Sequence, residues 1–333
     1  MPSVSFKSPL ILAVLLWFGV GNMIARAWET RSNNGREYVA VNGMKDFYGF
    51  TNLRRAGNEV ILENKKVLVK LRVGGQECTM NGVKFVFSYK VEDGNGQAWI
   101  SRIDLAKLVD PVLRPNYIGN AGDFKTVIID PGHGGKDPGA TNGLGTEANY
   151  NLDVANRLKK ILTERGYKVL MTRDTNRYLT LQERVDFANR INDNAIFISI
   201  HHNSGGGAAR GLETFTLSPI GVAHYGRGLN TSDFQARTGN GHDSANVALA
   251  TAVHGCVSRR LGKNTFDRGI KRARFSVLTG VKHPSILIEC GFMTHQLEAR
   301  LIHNEAYRNA VANGISEAVA KYRFAVAKKA GNS

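Results

Sequence analysis

Cysteine is scarce in this sequence, and its spacing excludes one class of fold. The 333 residues include 3 Cys, at positions Cys78, Cys256 and Cys290. An odd number of widely separated cysteines, with no CxxC pair, excludes the disulfide framework of a small secreted scaffold. Cys290 lies within an apolar strand pattern, which favours a small core residue over a nucleophile.

Acidic residues are also few, with 28 Asp and Glu against 44 Lys and Arg, and the formal net charge is +16. A basic protein concentrates at polyanions. Nucleic acid and the acidic polymers of a cell envelope are therefore both candidate partners, and a basic surface that serves only solubility is the alternative. The sequence has neither a nucleic-acid recognition motif nor an interleaved basic-aromatic tract, so we predict no nucleic-acid partner.

Residues 1–27 differ from the rest of the chain. One charge, Lys7, precedes the apolar run at 9–18, and Ala25 and Ala27 form the small-x-small pattern of a signal-peptidase site. An uncleaved membrane anchor is the alternative, but a spanning helix needs about 20 apolar residues, and glycines interrupt the run after Phe18. We predict a cleaved signal peptide, no stable membrane anchor, and export to the periplasm, the cell wall or the medium.

The sequence pattern of residues 28–114 predicts a small β-rich domain. Val67, Val69 and Leu71 alternate with charged residues, and Asn-Gly and Gly-Gly pairs mark turns between the strands. The strands, the turns and the ending WISRIDLAKLVDPVLRP loosely resemble the small domain at the N-terminus of copper amine oxidases and of many cell-wall proteins. This resemblance implies an accessory role and not copper binding.

Residues 115–123 are predicted to be a linker, residues 124–325 a second domain, and residues 326–333 a basic tail. In the second domain strands alternate with helices, which is typical of an α/β fold with a twisted, mostly parallel sheet and helices on both faces. The predicted strands are 125–130, 167–172, 195–200, 212–217 and 285–288, and the predicted helices are 147–165, 180–192, 245–256 and 296–320.

Polar side chains follow three of the predicted strands. His133 comes after the strand ending at Asp130, His201 directly follows the strand 195–200, and Glu289 follows the strand 285–288. Ligands of open α/β sheets bind at the carboxyl ends of the strands, so we expect these three residues to meet at one edge. Glu147 is a fourth candidate, placed at a helix start after a glycine-rich loop.

Two imidazoles and one carboxylate form the ligand set of hydrolytic zinc sites. Such a site leaves one position for a water molecule, whose pKa falls to about 7. Glu289 is the candidate general acid and base, since an ionised Glu ending an apolar strand is costly unless it has a partner. Taken singly, His133 is also compatible with a turn residue and Glu147 with a helix-start acid favoured by the dipole. His201 and His202 are compatible with a satisfied core pair, and Glu289 with a buried salt-bridge partner.

The second domain contains motifs of a known family. In order they are VIIDPGHGGKDPGA, GTEANYNLDVANRL, VLMTRDTNRYLTLQERVDFAN, FISIHHNS, DRGIKRARFSVL and SILIECGFMTH. With these motifs, residues 125–322 closely resemble the zinc-dependent N-acetylmuramoyl-L-alanine amidases of bacterial cell walls. The resemblance implies one catalytic Zn²⁺ bound by His133, Glu147 and His201, with Glu289 as the catalytic Glu. It implies a peptidoglycan substrate, cleaved between the lactyl group of N-acetylmuramic acid and L-alanine, and gives His202 no ligand role.

Two further features fall in or near these motifs. Some family members carry a long inhibitory helix in the segment 218–243, whereas this segment is short and glycine-rich, which favours a substrate-groove loop. Arg272 and Arg274 are compatible either with binding of stem-peptide carboxylates or with surface cations.

Two competing functions remain. A zinc peptidase acting on the stem peptide would place its first two ligands in an HxxE or HExxH pattern, whereas thirteen residues separate His133 from Glu147. A non-catalytic cell-wall-binding protein would lack a ligand or the catalytic carboxylate, whereas all four residues are present.

Overall fold

The computed structural model of the chain describes residues 28–119 and 121–327. The predicted signal peptide and most of the predicted basic tail lie outside these ranges. Within them, no helix combines the length and the apolar character that crossing a bilayer requires.

The N-terminal part, residues 28–114, is rich in strands, as predicted. Its strands are β1 (Thr30–Asn33), β2 (Arg36–Ala40), β3 (Asn52–Ala56), β4 (Glu59–Glu63), β5 (Leu68–Arg72), β6 (Glu77–Met80), β7 (Val83–Val86), β8 (Glu92–Gly94) and β9 (Gln97–Ser101). Its helices are α1 (Val41–Phe47), α2 (Arg102–Asp104) and α3 (Asp110–Leu113), the last two joined by a π-helical turn at Leu105–Val109.

The C-terminal part alternates strands and helices. Its strands are β10 (Thr126–Pro131), β11 (Thr141–Asn142), β12 (Gly145–Thr146), β13 (Lys168–Met171), β14 (Ala195–Asn203), β15 (Leu212–Leu217), β16 (Asp267–Ala273) and β17 (Ser285–Phe292). Its helices are α4 (Glu147–Glu164), α5 (Leu181–Asn189), α6 (Asp243–Leu261), α7 (Ser276–Gly280), α8 (Gln296–His303) and α9 (Glu305–Val326).

One 11-stranded sheet runs through both parts, in the order β13-β10-β14-β17-β15-β16-β7-β6-β5-β4-β3. Strands β13, β10, β14 and β17 are parallel to one another, β15 is antiparallel to β17, and β16 is parallel to β15. The strands β3 to β7 pair antiparallel as a meander. The predicted α/β class with a mostly parallel sheet in the second domain is confirmed.

The two faces of the C-terminal sheet have different helices over them. Ile196, Ile198 and Ile200 of β14 lie in the core shared with α4, α6 and α9, whereas Phe197 between them lies in the core shared with α5 and α7. This alternation follows from the two-residue period of a strand. By the same parity, His201 lies on the α5 and α7 side of the sheet.

The structure corrects some predicted element boundaries. Strands β14 and β17 continue to Asn203 and Phe292, so His201 and Glu289 lie within the last residues of their strands and not after them. The predicted helix 296–320 is two helices, because the chain is extended at Asn304 and the Asn304 side chain caps α9 by accepting from the backbone N–H of Ala306.

Candidate metal centre

His133 lies in a tight loop that directly follows β10. Its φ of 60° is in the left-handed region, a conformation that costs a non-glycine residue on the order of 1–3 kcal/mol and persists only where the surrounding structure holds it. Gly134 and Gly135, which follow it, also have positive φ values of 130° and 59°. The loop therefore turns sharply enough to present the His133 ring at the end of the sheet.

Two buried arginines hold this loop through its carbonyl groups. Arg173 donates to the carbonyl oxygens of Pro131 at 2.9 Å and of Gly132 at 2.8 Å. Arg184 donates to the carbonyls of Pro131 and His133, both at 2.8 Å. Because the two side chains are 0% and 3% exposed, these bonds are shielded from water, and they account for how the strained loop persists.

Glu147 is the first residue of α4, after the N-cap Thr146, and its carboxylate is the meeting point of the site. Its Oε1 lies 2.9 Å from Nδ1 of His201 and 3.2 Å from Nε2 of His133. The same oxygen accepts from the backbone N–H of His202 at 3.2 Å. The three predicted ligands are thus brought together, and their candidate ligand atoms all lie within 4.8 Å of one another.

The electrostatics favour an ionised carboxylate between the two imidazoles. Burial opposes ionisation of Glu147, but the hydrogen bonds and charges of His133 and His201 outweigh it, so the pKa of Glu147 falls below its usual range. Burial likewise opposes protonation of His133, and Glu147 and Asp137 outweigh it and raise its pKa. Nδ1 of His133 lies 2.8 Å from Oδ2 of Asp137, which leaves Nε2 directed at the centre, the arrangement usual for histidine ligands.

Glu289 lies in β17, the strand next to that of His201. It is the direct cross-strand partner of His201 in β14 on one side and of Glu213 in β15 on the other. Its Oε2 is buried and has no hydrogen-bond partner among the residues that the structure describes. Burial, with further contributions from the charges of Glu147 and Glu213, raises the pKa of Glu289 well above its usual range.

A buried ion cluster beside Glu289 was not predicted from the sequence. Glu213, 4% exposed, accepts from Nζ of Lys271 at 2.7 Å, from Nε of Arg268, and from the amide of Asn203 at 3.2 Å. The signal that could have found it is the one that singled out Glu289, namely a charged residue inside an apolar strand. Applied to β15, that criterion selects Glu213. It does not single out Lys271, because β16 contains four charged residues.

Arg272 and Arg274 are not surface cations, since both side chains are largely buried. Arg272 is 4% exposed and donates to the carbonyl of Lys107 at 2.6 Å. Arg274 donates to the carbonyls of Pro219 at 3.0 Å and Asp233 at 2.8 Å. The surface-cation interpretation is therefore wrong for both residues, whereas binding of stem-peptide carboxylates stays a prediction.

His202 and Cys290 are both buried. His202 is 0% exposed, and its Nδ1 lies 2.8 Å from the amide oxygen of Asn151, whose amide nitrogen donates to Oε1 of Glu147 at 3.3 Å. Burial lowers the pKa of His202 to about 4. Cys290 is 0% exposed within the hydrophobic core, as predicted.

We expect Gly132→Ala to weaken metal binding, because the new Cβ would lie 2.1 Å from Cε1 of His201. Competition with a chromophoric chelator should show a loss of affinity on the order of 10–100-fold, the range seen when ligand orientation is disturbed. Gly143→Ala is the matched control, since its Cβ would meet nothing within 4 Å. Equal affinities for the two variants would contradict this geometry.

Comparison with known proteins gives the family. Residues 127–321, more than half of the chain, match the N-acetylmuramoyl-L-alanine amidase family. The chain is 31% identical over 209 residues to the amidase LytC of Bacillus subtilis, covering 62% of this chain and 37% of LytC. It is 30% identical over 230 residues to the amidase AmiC of Neisseria meningitidis, covering 61% of this chain and 54% of AmiC.

A solved structure agrees. The catalytic domain of CwlV, an N-acetylmuramoyl-L-alanine amidase from Bacillus (Paenibacillus) polymyxa var. colistinus, superposes with a TM-score of 0.50 at 30% identity, covering 60% of this chain and 97% of that chain. The family match at residues 127–321 includes His133, Glu147, His201 and Glu289. The chain belongs to the N-acetylmuramoyl-L-alanine amidase family.

Proposed function

We propose that this protein hydrolyses the amide bond between the lactyl group of N-acetylmuramic acid and the L-alanine of the stem peptide in peptidoglycan. The observation that carries the proposal is the convergence of His133, Glu147 and His201 at the end of the sheet with Glu289 on the adjoining strand. Family membership supports the bond that is cleaved. The chain spans 37% and 54% of the two named relatives, so the activity of the whole protein is part of the proposal.

The metal of this proposal is one zinc ion held by His133, Glu147 and His201. Two imidazole nitrogens and a carboxylate oxygen are the donor set of catalytic zinc sites with an open fourth position. The contact between Asp137 and Nδ1 of His133 fixes which ring nitrogen faces the site. When bound, zinc supplies Lewis acidity and lowers the pKa of a coordinated water to about 7.

Glu289 carries the proton in this mechanism. Its carboxylate takes a proton from the water that attacks the amide carbonyl, and delivers that proton to the leaving nitrogen of L-alanine as the bond breaks. The raised pKa of Glu289 suits a group that must accept and then release a proton. Its unpartnered Oε2 supports the role, because no neighbouring donor competes for that oxygen.

The proposal includes export and a two-domain organisation. Peptidoglycan lies outside the cytoplasm, so the predicted signal peptide at residues 1–27 would take the protein to the periplasm, the cell wall or the medium.

In the proposed domain organisation, residues 28–114 form the accessory part, residues 115–123 connect it to the amidase part, and residues 124–325 carry the reaction. Two residues of the connecting segment, Ile118 and Ala121, are buried in the hydrophobic core, which supports a firm connection over a loose one.

The function is tested by digestion of purified peptidoglycan with the zinc-loaded protein. We expect intact stem peptides with a free L-alanine amine, separated from the glycan, because the proposed bond lies between the two. Removal of zinc by a chelator should abolish release, and added zinc should restore it. Release of single amino acids would show a stem-peptide peptidase, and binding without release would show a wall-binding protein, and either result contradicts the amidase proposal.

Glu289→Gln tests the proton carrier. The amide has the shape of the carboxyl group but cannot carry the proton, so we expect kcat to fall by about 10²–10⁴-fold. Zinc content should be unchanged, because Glu289 is not among the proposed ligands, and zinc analysis of the purified variant checks this. Glu164→Gln, at an exposed glutamate of α4, is the control, and a Glu289→Gln variant as active as this control would refute the role.

A further inference from the structure

The N-terminal β region, residues 28–114, is fused to the amidase part through the sheet itself. Strand β7 pairs in parallel with β16, with Phe85 opposite Ile270. Both side chains are buried in one hydrophobic core that contains residues of both parts, Phe85 at 0% and Ile270 at 2% exposure. The region is therefore a neighbour of β16 in the sheet and not a separate body on a tether.

Two glycines of the amidase part permit this close approach. A Cβ on Gly269 in β16, where φ is +84°, would lie 3.2 Å from the carbonyl oxygen of Lys84. A Cβ on Gly255 in α6 would lie 3.0 Å from Cγ2 of Val83. Larger side chains at these two positions would collide with β7. Glycine at both positions therefore allows β7 to pack against β16 and α6.

The turn after β7 carries Tyr89, whose side chain reaches from the N-terminal region to the amidase part. The buried carboxylate of Asp104 fixes this turn by accepting from the backbone N–H groups of Ser88 at 2.9 Å and Tyr89 at 3.2 Å. The guanidinium of Arg36 lies over the Tyr89 ring, 4.2 Å from its centroid. Held in this way, the Tyr89 hydroxyl donates to the carbonyl of Gly221 at 2.9 Å.

Gly221 belongs to the segment 218–243, which folds back along β16 towards the site. The backbone N–H of Tyr225 donates to the carbonyl of Arg272 at 2.9 Å. The ammonium of Lys271 lies over the Tyr225 ring, 4.5 Å from its centroid. Lys271 in turn donates to Glu213 at 2.7 Å, and Glu213 is the cross-strand partner of Glu289.

A second group of contacts, made by Lys107, also connects the N-terminal region to β16 and to the segment 218–243. Arg272 donates through Nη2 to the carbonyl of Lys107 at 2.6 Å and through Nη1 to Oγ1 of Thr216 at 3.2 Å. The ammonium of Lys107 lies 3.6 Å from a carboxylate oxygen of Asp243, where the segment meets α6. The N-terminal region thus contacts the segment 218–243 near both of its ends, at Gly221 and Asp243, and also contacts β16 at Arg272.

We propose that the N-terminal β region is a positioning element of the amidase site: its Tyr89 and Lys107 hold the segment 218–243 so that Tyr225 covers the Lys271–Glu213 pair beside Glu289. Tyr225 is 45% exposed, and in this proposal its exposed surface is a fixed contact for the peptidoglycan strand beside Glu289. The catalytic consequence of this role rests on the proposed function. The hydrogen bond between Tyr89 and Gly221 of the segment does not depend on that function.

Tyr89→Phe tests this hydrogen bond in the full mature, zinc-loaded chain, because it removes one hydroxyl and leaves the ring under Arg36. Hydrogen exchange measured by mass spectrometry should rise about two- to tenfold at the amides of residues 221–225, the effect of one hydrogen bond. Exchange in β10 and the melting temperature should stay at the wild-type values. On peptidoglycan, KM should rise by a similar factor with kcat less affected, since the zinc ligands and Glu289 are untouched.

The control is Tyr117→Phe, a tyrosine whose side chain is 58% exposed, and it should change none of these quantities. Unchanged exchange at 221–225 in Tyr89→Phe would overturn the proposal, as would a rise that extends equally to β10, because that pattern means general destabilisation. Absence of amidase activity in the wild-type protein would refute the proposed function instead, and the exchange comparison would still decide whether the hydrogen bond exists.

Discussion

The buried carboxylate of Glu147, placed between two imidazoles, is the interaction on which the site depends. A carboxylate that is 4% exposed is costly unless donors surround it, and here His133, His201 and the backbone N–H of His202 all face Oε1. The other oxygen, Oε2, accepts from the backbone N–H of Ala140 at 2.9 Å. The start of α4, the loop after β10 and the end of β14 are thereby fixed to one another.

The sheet sets the distance between the proposed metal and the proposed proton carrier. Neighbouring strands lie about 4.7–4.9 Å apart, and His201 and Glu289 are direct partners across β14 and β17. The carboxyl group therefore stands one strand spacing from a proposed ligand without any loop to position it. On its other side Glu213 is neutralised by Lys271 and Arg268, so a second carboxylate is accommodated next to Glu289.

A site residue can be predicted from the sequence when the pattern that indicates it lies in the neighbouring residues of the chain. His133, His201 and Glu289 each follow or end a short apolar run, and because the carboxyl ends of parallel strands share one edge of a sheet, the sequence predicts that they lie together. Glu147 carried a weaker signal, because an acid in the first turn of a helix is ordinary, and the family resemblance made it a predicted ligand.

The remaining features depend on pairings that no local pattern encodes. The partners β7 and β16 are separated by most of the amidase part of the chain, and a short strand such as VKFV shows only that one face is apolar. For the same reason the surface-cation interpretation of Arg272 and Arg274 is wrong, since the carbonyl groups that they bind belong to distant segments. The boundary at Asn304 was missed because its capping side chain interrupts an apolar pattern that continues on both sides.

X-ray absorption at the zinc edge of the metal-loaded protein tests the central claim most directly. We expect a four-coordinate site with two imidazole ligands and two oxygen ligands, one from Glu147 and one from water, at about 2.0–2.2 Å. His201→Ala should lose one imidazole contribution from the spectrum. A sulfur ligand, or an unchanged spectrum in His201→Ala, would contradict the assignment of the metal to His133, Glu147 and His201.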